Sequence, residues 1–445
     1  MTTLQKGQEL SSRLVELLTV IIHIFALVGS VIAGRAADSI GRRLTIFSIG
    51  IIFFCVPSVM GLASMYSVAL FGRFFAQVGV GYTLTIVPLY LAEVSPAFSR
   101  GFYTCFPQVF INTGMIIGYT GHYIFSKMKL NGWGFLIWEE LIPLTLLAVV
   151  LRAMPESPRW LILKGRLREA RSILCWTSSS IQESECQYTN ICYAANIPES
   201  QFEEDIISVR RSESNTRWDL LRFSNPALLH MSACAIMIQL AQKACGCDTI
   251  VLYLPQILEK AGVVNINEKV LWILLIDLLK TVCAVVAAFL LDRYGRRKLL
   301  LISIGGMVVS LVTLGSCLIN IDDIDKNRID PNKKKELWVS QICIVSLFFY
   351  MGSFSIGMGP VGSVFISELF PLELRAKGCS TAYAVNQGAS ALVSLIFFLL
   401  NKPVSLGGAV FSFAVAAMGA WLFFFVTMPE TKGFSLEEML RLFGT

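Results

Sequence analysis

The sequence predicts an all-α polytopic membrane protein of about eleven spanning helices, arranged as two related bundles. Two observations predict this class. Of the 445 residues, 55% are hydrophobic and only 15% are charged, whereas soluble domains carry roughly 25% charged residues. Apolar windows of about 20 residues, long enough to cross a hydrocarbon core as a helix, recur along nearly the whole chain. The chain is therefore expected to lie in a lipid bilayer.

The predicted spans are helices because a segment in lipid must satisfy its backbone hydrogen bonds internally. They cover residues 14–34, 44–65, 69–92, 102–125, 134–153, 227–252, 269–291, 299–319, 338–366, 380–400 and 407–428. The long interruption between the fifth and sixth spans is polar, charged and serine-rich. We therefore predict a five-span bundle over 1–161, a linker over 162–225 and a six-span bundle over 226–445.

Three short motifs occur twice, in the same order in each half. "GRAADSIGRR" (34–43) is echoed by "DRYGRRK" (292–298), "EVSPAFSRG" (93–101) by "ELFPLELRAKG" (368–378), and "PESPR" (155–159) by "PETKG" (429–433). Ordered echoes indicate an internal duplication. The first of these motifs, which we call the hinge motif, follows two spans in the second half but only one in the first half. The duplication therefore predicts a twelve-helix ancestor whose first helix is missing here.

Basic residues in short loops predict the orientation of the spans. They fall in alternate predicted loops on one side of the membrane, at Arg35, Arg42, Arg43, Arg100, Arg293, Arg296, Arg297, Lys298, Arg375 and Lys377. This pattern places the linker and the C-terminus in the cytoplasm. It also explains the net charge of +6 without nucleic acid, for which no clustered basic and aromatic surface is present.

The residues that would indicate catalysis or metal binding are scattered. The twelve cysteines form no CxxC pair, and the three histidines are far apart, without metal-ligand spacing or a catalytic triad. No cofactor, metal site or catalytic residue is predicted, and a membrane enzyme is disfavoured.

The motifs together resemble a known family. The two hinges, "PESPRWL" (155–161), "GPVGSVFISELFPLELRAKG" (359–378) and "PETKGFSLEEM" (429–439) resemble the sugar porter family of the major facilitator superfamily. Within it, "RGFYTCFPQVFINTGMIIGY" (100–119) and "GRLREARSIL" (165–174) are similar to plant polyol and cyclitol transporters. The resemblance implies the major facilitator fold, a plasma-membrane location, and symport of a polyol or monosaccharide with a proton as two halves rock around a central site.

Five polar residues resemble the substrate-lining positions of the family. They are Gln108, Gln242, Asp248, Tyr253 and Asn386. Amides and hydroxyls suit a neutral polyol because they donate and accept hydrogen bonds together. Polar side chains at mid-depth are costly and indicate either function or interhelical hydrogen bonding, and both uses remain open. Two nearby positions depart from the family pattern: Lys243 replaces an amide, and so does His23.

Charged residues within the spans resemble coupling groups. Arg73 matches an arginine that works with a first-helix acid in the family's proton symporters, and that acid would lie in the missing helix. Lys280, about halfway along a predicted span, is expected to pair with Asp277 or Asp248.

Charged residues at the predicted cytoplasmic rim resemble the family's gate network, which latches the outward-open state. They are Arg35, Asp38, Arg42, Arg43, Glu93, Arg100, Glu156 and Arg159 in the first half, and Asp292, Arg296, Arg297, Glu368, Arg375 and Glu430 in the second. Pairing that differs between two states sets a conformational equilibrium. Solvated loop charge is the alternative interpretation.

A second function remains open at this point. A missing first helix would remove one wall of the cavity, so the alternative to a transporter is a non-transporting, N-terminally truncated remnant or a sugar-sensing receptor of the same fold.

Overall fold

The computed structural model describes residues 12–62, 66–96, 98–127, 150, 153–202, 204–207, 226–326, 337–400, 405–434, 436, 439 and 443. Regular structure in these ranges is helical, and this confirms the predicted fold class. The first half contains α1 (Ser12–Ile40), α2 (Arg42–Leu62), α3 (Tyr66–Val94) and α4 (Arg100–Lys127). Three short helices follow: α5 (Pro158–Leu163), which begins just before the predicted linker, and α6 (Leu167–Thr177) and α7 (Ile181–Ala194), which lie within it.

The second half contains eight helices among the described residues. They are α8 (Pro226–Ala244), α9 (Cys247–Lys260), α10 (Ile266–Tyr294), α11 (Arg296–Lys326), α12 (Leu337–Ile356), α13 (Met358–Leu369), α14 (Arg375–Leu400) and α15 (Leu406–Thr427). The predicted fifth span, 134–153, lies almost wholly outside the described residues.

Seven segments of the described chain are long and apolar enough to cross a membrane. They are Val20–Ile40, Phe71–Val94, Pro226–Lys260, Ile266–Tyr294, Arg296–Asp323, Trp338–Leu369 and Leu406–Thr427. Each coincides with a predicted span. Helices α2, α4 and α14 coincide with the second, fourth and tenth predicted spans.

The repeated hinge forms the same turn in both halves. Gly41 separates α1 from α2 with a φ of +95°, and Gly295 separates α10 from α11 with a φ of +93°. A Cβ atom at Gly41 would lie 2.6 Å from Glu156 Oε2, and one at Gly295 would lie 2.5 Å from Glu430 Oε2. Glycine is required at both turns because only it combines this backbone conformation with such a close approach.

The halves meet through equivalent helix pairs. The first half packs α1 against α14, and the second half packs α10 against α4. In each pair, one helix ends at a hinge glycine and the other begins with the arginine of the second repeated motif. This symmetry is the three-dimensional counterpart of the duplication that the motifs predict.

Two predicted spans are each broken into two helices. The 227–252 span is interrupted at Gly246, which has a φ of +80°, and the 338–366 span is interrupted at Gly357. At the second break, Ser303 Oγ accepts a hydrogen bond from the Met358 backbone N–H at 3.0 Å and donates to the Ser353 carbonyl at 2.6 Å. Backbone groups freed in a membrane helix need such partners, so α11 stabilises the break between α12 and α13.

The linker is folded where the structure describes it, whereas its polar composition predicted only a connection. Trp160, Leu167, Leu174, Tyr188 and Ile191 share one buried apolar cluster, so the first part of the predicted linker is a small helical unit. Leu372, from the loop before α14, also lies in that cluster. We call the side of the bundles next to this unit the linker face.

Candidate functional site

Buried amide side chains connect α8 to α14, close to the two interrupted spans. Asn386 Nδ2 donates to Gln239 Oε1 at 2.5 Å and to Gln242 Oε1 at 3.0 Å. Gln242 Nε2 in turn lies 3.4 Å from the Met358 carbonyl and 3.3 Å from that of Gly359. We call Gln239, Gln242 and Asn386 the amide cluster.

The amide cluster has the chemistry of a hydroxyl-binding surface. Each amide carries two donors and an acceptor with two lone pairs, and Gln239 and Asn386 are almost fully buried. The start of α13 holds Gln242 through its carbonyls, so the break at Gly357 positions this side chain. Of the predicted lining residues, the structure brings Gln242 and Asn386 into direct contact. Gln239 was not predicted, although it lies one turn before Gln242 on the same helix.

A second polar contact joins the two halves beside the cluster. His23 Nδ1 of α1 lies 3.2 Å from Gln387 Oε1 of α14. Because an amide oxygen only accepts, the imidazole nitrogen donates in this contact. Gln387 also escaped prediction, although it follows Asn386 directly.

Asp248 forms an ion pair rather than standing alone. Lys243 Nζ lies 2.6 Å from Asp248 Oδ2, and the Asp248 side chain is 52% exposed. His23 interacts electrostatically with both charges. The lysine that replaces an amide is therefore neutralised by an acid that the resemblance had placed in the site.

The other two predicted lining residues have different surroundings. Gln108 is half-buried on α4, where its Nε2 lies 3.4 Å from Asn112 Oδ1 of the same helix. The buried Tyr253 packs its ring on Phe397, with the centroids 4.5 Å apart. Neither residue is within the amide cluster.

The coupling candidate is separated from the described acids. Arg73 is half-buried on α3, and no acidic side chain among the residues whose side chains are described forms a salt bridge with it. Lys280 pairs with Asp277, one of its two predicted partners, at 3.1 Å.

Two glutamates close the hinges at the linker face. Glu156 Oε1 accepts from the backbone N–H groups of Arg42 and Arg43 at 2.9 and 3.2 Å. Glu430 accepts from those of Arg296 and Arg297 at 2.8 and 3.2 Å. Each carboxylate thus occupies a helix N-terminus, where free N–H groups and the helix dipole favour an anion.

Each half also has a buried arginine paired with a buried acid. Arg42 holds Glu93 through two hydrogen bonds of 2.9 and 3.1 Å, and Arg296 holds Glu368 at 3.1 Å. Asp38 and Asp292 lie one turn before these arginines, at 3.7 and 3.3 Å. Asp38 corresponds to Asp292 in the duplication, and Glu93 to Glu368.

Charged residues of each half also interact with residues of the other half. Arg100 of the first half lies 3.9 Å from Glu368 of the second, and Arg375 of the second interacts electrostatically with Glu93 of the first. Asp292 Oδ2 also accepts from the Phe102 N–H across the interface at 2.9 Å. We call these contacts the crossed contacts.

The remaining predicted gate residues lie beside the crossed contacts. Arg159 donates to the Glu93 carbonyl at 2.5 Å, and Arg297 donates to the Phe425 carbonyl at 2.7 Å. Arg35 is exposed and forms no salt bridge with a residue whose side chain is described. The structure thus brings together the predicted network except for Arg35.

Two titratable groups of the linker unit have shifted pKa values. Arg171 bonds Glu185 at 2.8 Å, which raises the pKa of its guanidinium. Burial raises the pKa of the Cys192 thiol to about 11. A thiol of this kind is inert at neutral pH, so the linker core supplies no reactive group at Cys192.

Two pseudo-symmetric helical bundles, joined by crossed charges and enclosing buried amides between broken helices, define a protein of the major facilitator type. Comparison with known proteins gives the same protein class. Residues 1–443 match the family model described as Sugar (and other) transporter. The chain therefore belongs to this sugar transporter family, a family of carriers and not of enzymes.

Two relatives and two solved structures illustrate the similarity. Polyol transporter 5 of Arabidopsis thaliana is 42% identical over 95% of this chain and 78% of its own length. D-xylose-proton symporter-like 2 of the same plant is 31% identical over 93% of this chain and 78% of its own length. The proton:xylose symporter XylE bound to 6-bromo-6-deoxy-D-glucose superposes with a TM-score of 0.81, at 22% identity, covering 96% of this chain and 89% of XylE.

The inward-open conformation of XylE from E. coli gives a TM-score of 0.66, at 22% identity and over 96% of this chain and 88% of XylE. At such identities the two superpositions establish the fold. The recognition of the sugar porter family and of its polyol branch from the sequence motifs is confirmed.

Proposed function

We propose that this protein carries a linear polyol or a monosaccharide across the plasma membrane by alternating access, in symport with a proton. The amide cluster carries this proposal, because it presents paired donors and acceptors at mid-membrane depth, where water competes little with a polyhydroxyl ligand. Relatives named as polyol transporters and as xylose-proton symporters support the same substrate class.

The substrate site lies between the halves. We assign Gln242 and Asn386 to its second-half wall and Gln108, on α4, to its first-half wall. Asp248, paired with Lys243, and Tyr253 complete the lining. Arg73 remains a coupling candidate from the resemblance alone.

The gate lies at the linker face, which we place in the cytoplasm together with the C-terminus. The crossed contacts hold the two halves together there, so the described conformation is closed at that face. Rocking toward the inward-facing conformation separates Arg100 from Glu368 and Arg375 from Glu93. Differential pairing of this kind determines the populations of the two states.

The test is uptake of labelled sorbitol, mannitol, myo-inositol and glucose, at acidic and at neutral pH, in cells that lack their own carriers. We expect saturable uptake of at least one polyol that is faster at acidic pH, and uptake that weakens in Gln242→Ala at equal surface level. Binding of a polyol without uptake would contradict transport and favour a receptor of the same fold.

A further inference from the structure

An ion pair is enclosed midway along α10. The side chains of Asp277 and Lys280 are each 4% exposed, and Oδ1 lies 3.1 Å from Nζ. Taking two charges out of water costs several kcal/mol per ion, by order of magnitude. Ionisable side chains inside a membrane are rare and mark substrate, ion or proton pathways.

The pair is incompletely satisfied. Asp277 Oδ2 is buried and has no hydrogen-bond partner in the described part of the chain. A carboxylate has acceptor sites on both oxygens, so Oδ2 is an unsatisfied acceptor, while Lys280 compensates the charge of the group. A proton bound at Oδ2 satisfies that oxygen and leaves Lys280 as the charged member of the pair.

The pair lies at the contact between the halves. Helix α10 packs along α4, with Phe102 and Phe289 centroids 5.1 Å apart near the linker face. Further from that face, Tyr119 of α4 interacts electrostatically with both Asp277 and Lys280. The pair therefore lies at the contact that moves when the two halves rock.

Other titratable groups near the pair lie on neighbouring helices. Cys247 of α9 interacts electrostatically with Asp277 and Lys280 and also with Lys243 of α8 and Asp248 of α9. Tyr350 of α12 interacts with Cys247 and Asp248. Two lysines and two aspartates balance one another here, so one bound proton gives the cluster a charge of about +1 by simple counting.

We propose that Asp277, held by Lys280, is the carboxylate that binds the coupled proton in this protein. A proton from water forms an O–H bond at Oδ2, and Lys280 stays an ammonium that donates to Oδ1. Release breaks the same O–H bond and returns the proton to water on the other side. Burial favours the neutral acid and a neighbouring cation favours the carboxylate, and a group that both takes up and releases a proton needs the two effects together.

The coupling role rests on the proposed transport function, so the experiment separates transport from coupling. Purified protein in liposomes is assayed for polyol counterflow without a pH gradient, and for polyol accumulation driven by an inward proton gradient. The variants are Asp277→Asn, the charge-balanced pair Asp277→Asn with Lys280→Met, and the control Asp322→Asn. Asp322 is a matched control because it pairs with a lysine, Lys260, outside the cluster.

We expect the double variant to keep counterflow within about threefold of the unchanged protein and to lose accumulation, since the proton-binding carboxylate is removed together with its partner charge. Asp322→Asn should keep both activities. Accumulation that persists in the double variant would overturn the proposal. In Asp277→Asn, Lys280 is left buried and unpaired, and this variant can misfold for that reason alone. The double variant removes both charges and therefore tests the proposal even when the single variant does not fold.

A second readout does not depend on transport. Infrared spectra of the purified protein, recorded across pH, should contain a buried carboxylic-acid band that titrates, that disappears in Asp277→Asn and that persists in Asp322→Asn. Absence of this band from the unchanged protein would overturn the proton site. A titrating band in a protein that moves no polyol would leave the proton site standing and refute the proposed transport.

Discussion

At the scale of single residues, the sequence motifs predicted more of the charged residues at the linker face than of the residues in the amide cluster. The repeats predicted the correspondence of Gly41 with Gly295 and of Glu156 with Glu430, because turn geometry leaves a local trace in sequence. Gln239 and Gln387 escaped, since only their spacing to Gln242 and Asn386 indicated them. Hydrogen bonds between distant helices leave no such local trace.

Asn386 tests the amide cluster. In Asn386→Ala, Gln239 and Gln242 lose their shared donor, and each neutral hydrogen bond contributes about 1 kcal/mol. We expect the half-saturating polyol concentration to rise about fivefold to thirtyfold at unchanged surface level. Uptake curves measure this effect, with the exposed linker residue Asn190→Ala as control. An unchanged half-saturating concentration would remove Asn386 from the site.

The hinge glycines test the turn geometry. Gly41→Ala and Gly295→Ala combine a positive φ with a clash against a carboxylate, whereas Gly433 has a φ of +85° and nothing within 4 Å of an added Cβ. The positive φ alone costs about 1–2 kcal/mol. Thermal unfolding in detergent should therefore show a greater loss of stability for the two hinge variants than for Gly433→Ala. Equal losses in all three would mean that the clash relaxes freely.

At the scale of elements, hydropathy predicted the helices and missed their interruptions. Gly246 and Gly357 break two spans without changing local polarity, so no window average detects them. The linker helices were missed for the opposite reason, because their surface is polar. Leu167, Ala170 and Leu174 are buried at helical spacing, and this periodicity was the available signal.

Ser303 tests the break between α12 and α13. Ser303→Ala leaves the buried Met358 N–H without its partner, and an unsatisfied buried group costs about 1–3 kcal/mol. Thermal unfolding should show that loss. Ser412→Ala is the matched control, because Ser412 donates to Ala409 within its own helix, and we expect a change below about 0.5 kcal/mol there. Equal stability of the two variants would contradict a role for α11 in holding the break.

At the scale of the whole molecule, the duplication accounts for the symmetry of the rim, and the crossed contacts account for its closure. Arg100→Ala should weaken the closed linker face by about 1–3 kcal/mol, a factor of roughly 5–150 in the conformational equilibrium. Cys105 is buried in this interface, so its labelling by a membrane-permeant maleimide should become faster.

The labelling experiment uses a background in which the exposed Cys55, Cys175 and Cys186 are replaced by serine. Arg166→Ala removes an exposed salt bridge of the linker unit with Glu169 and is the control. Identical labelling rates for Arg100→Ala and Arg166→Ala would show that the crossed contacts do not latch the halves.

The most direct test of the central claim is accumulation of a labelled polyol in liposomes that contain the purified protein and carry an inward proton gradient. Proton symport predicts accumulation above the outside concentration, abolished by dissipating the gradient and weakened in Gln242→Ala. Uptake that only equilibrates the polyol would contradict proton symport, and the absence of any polyol movement would contradict the transport function itself.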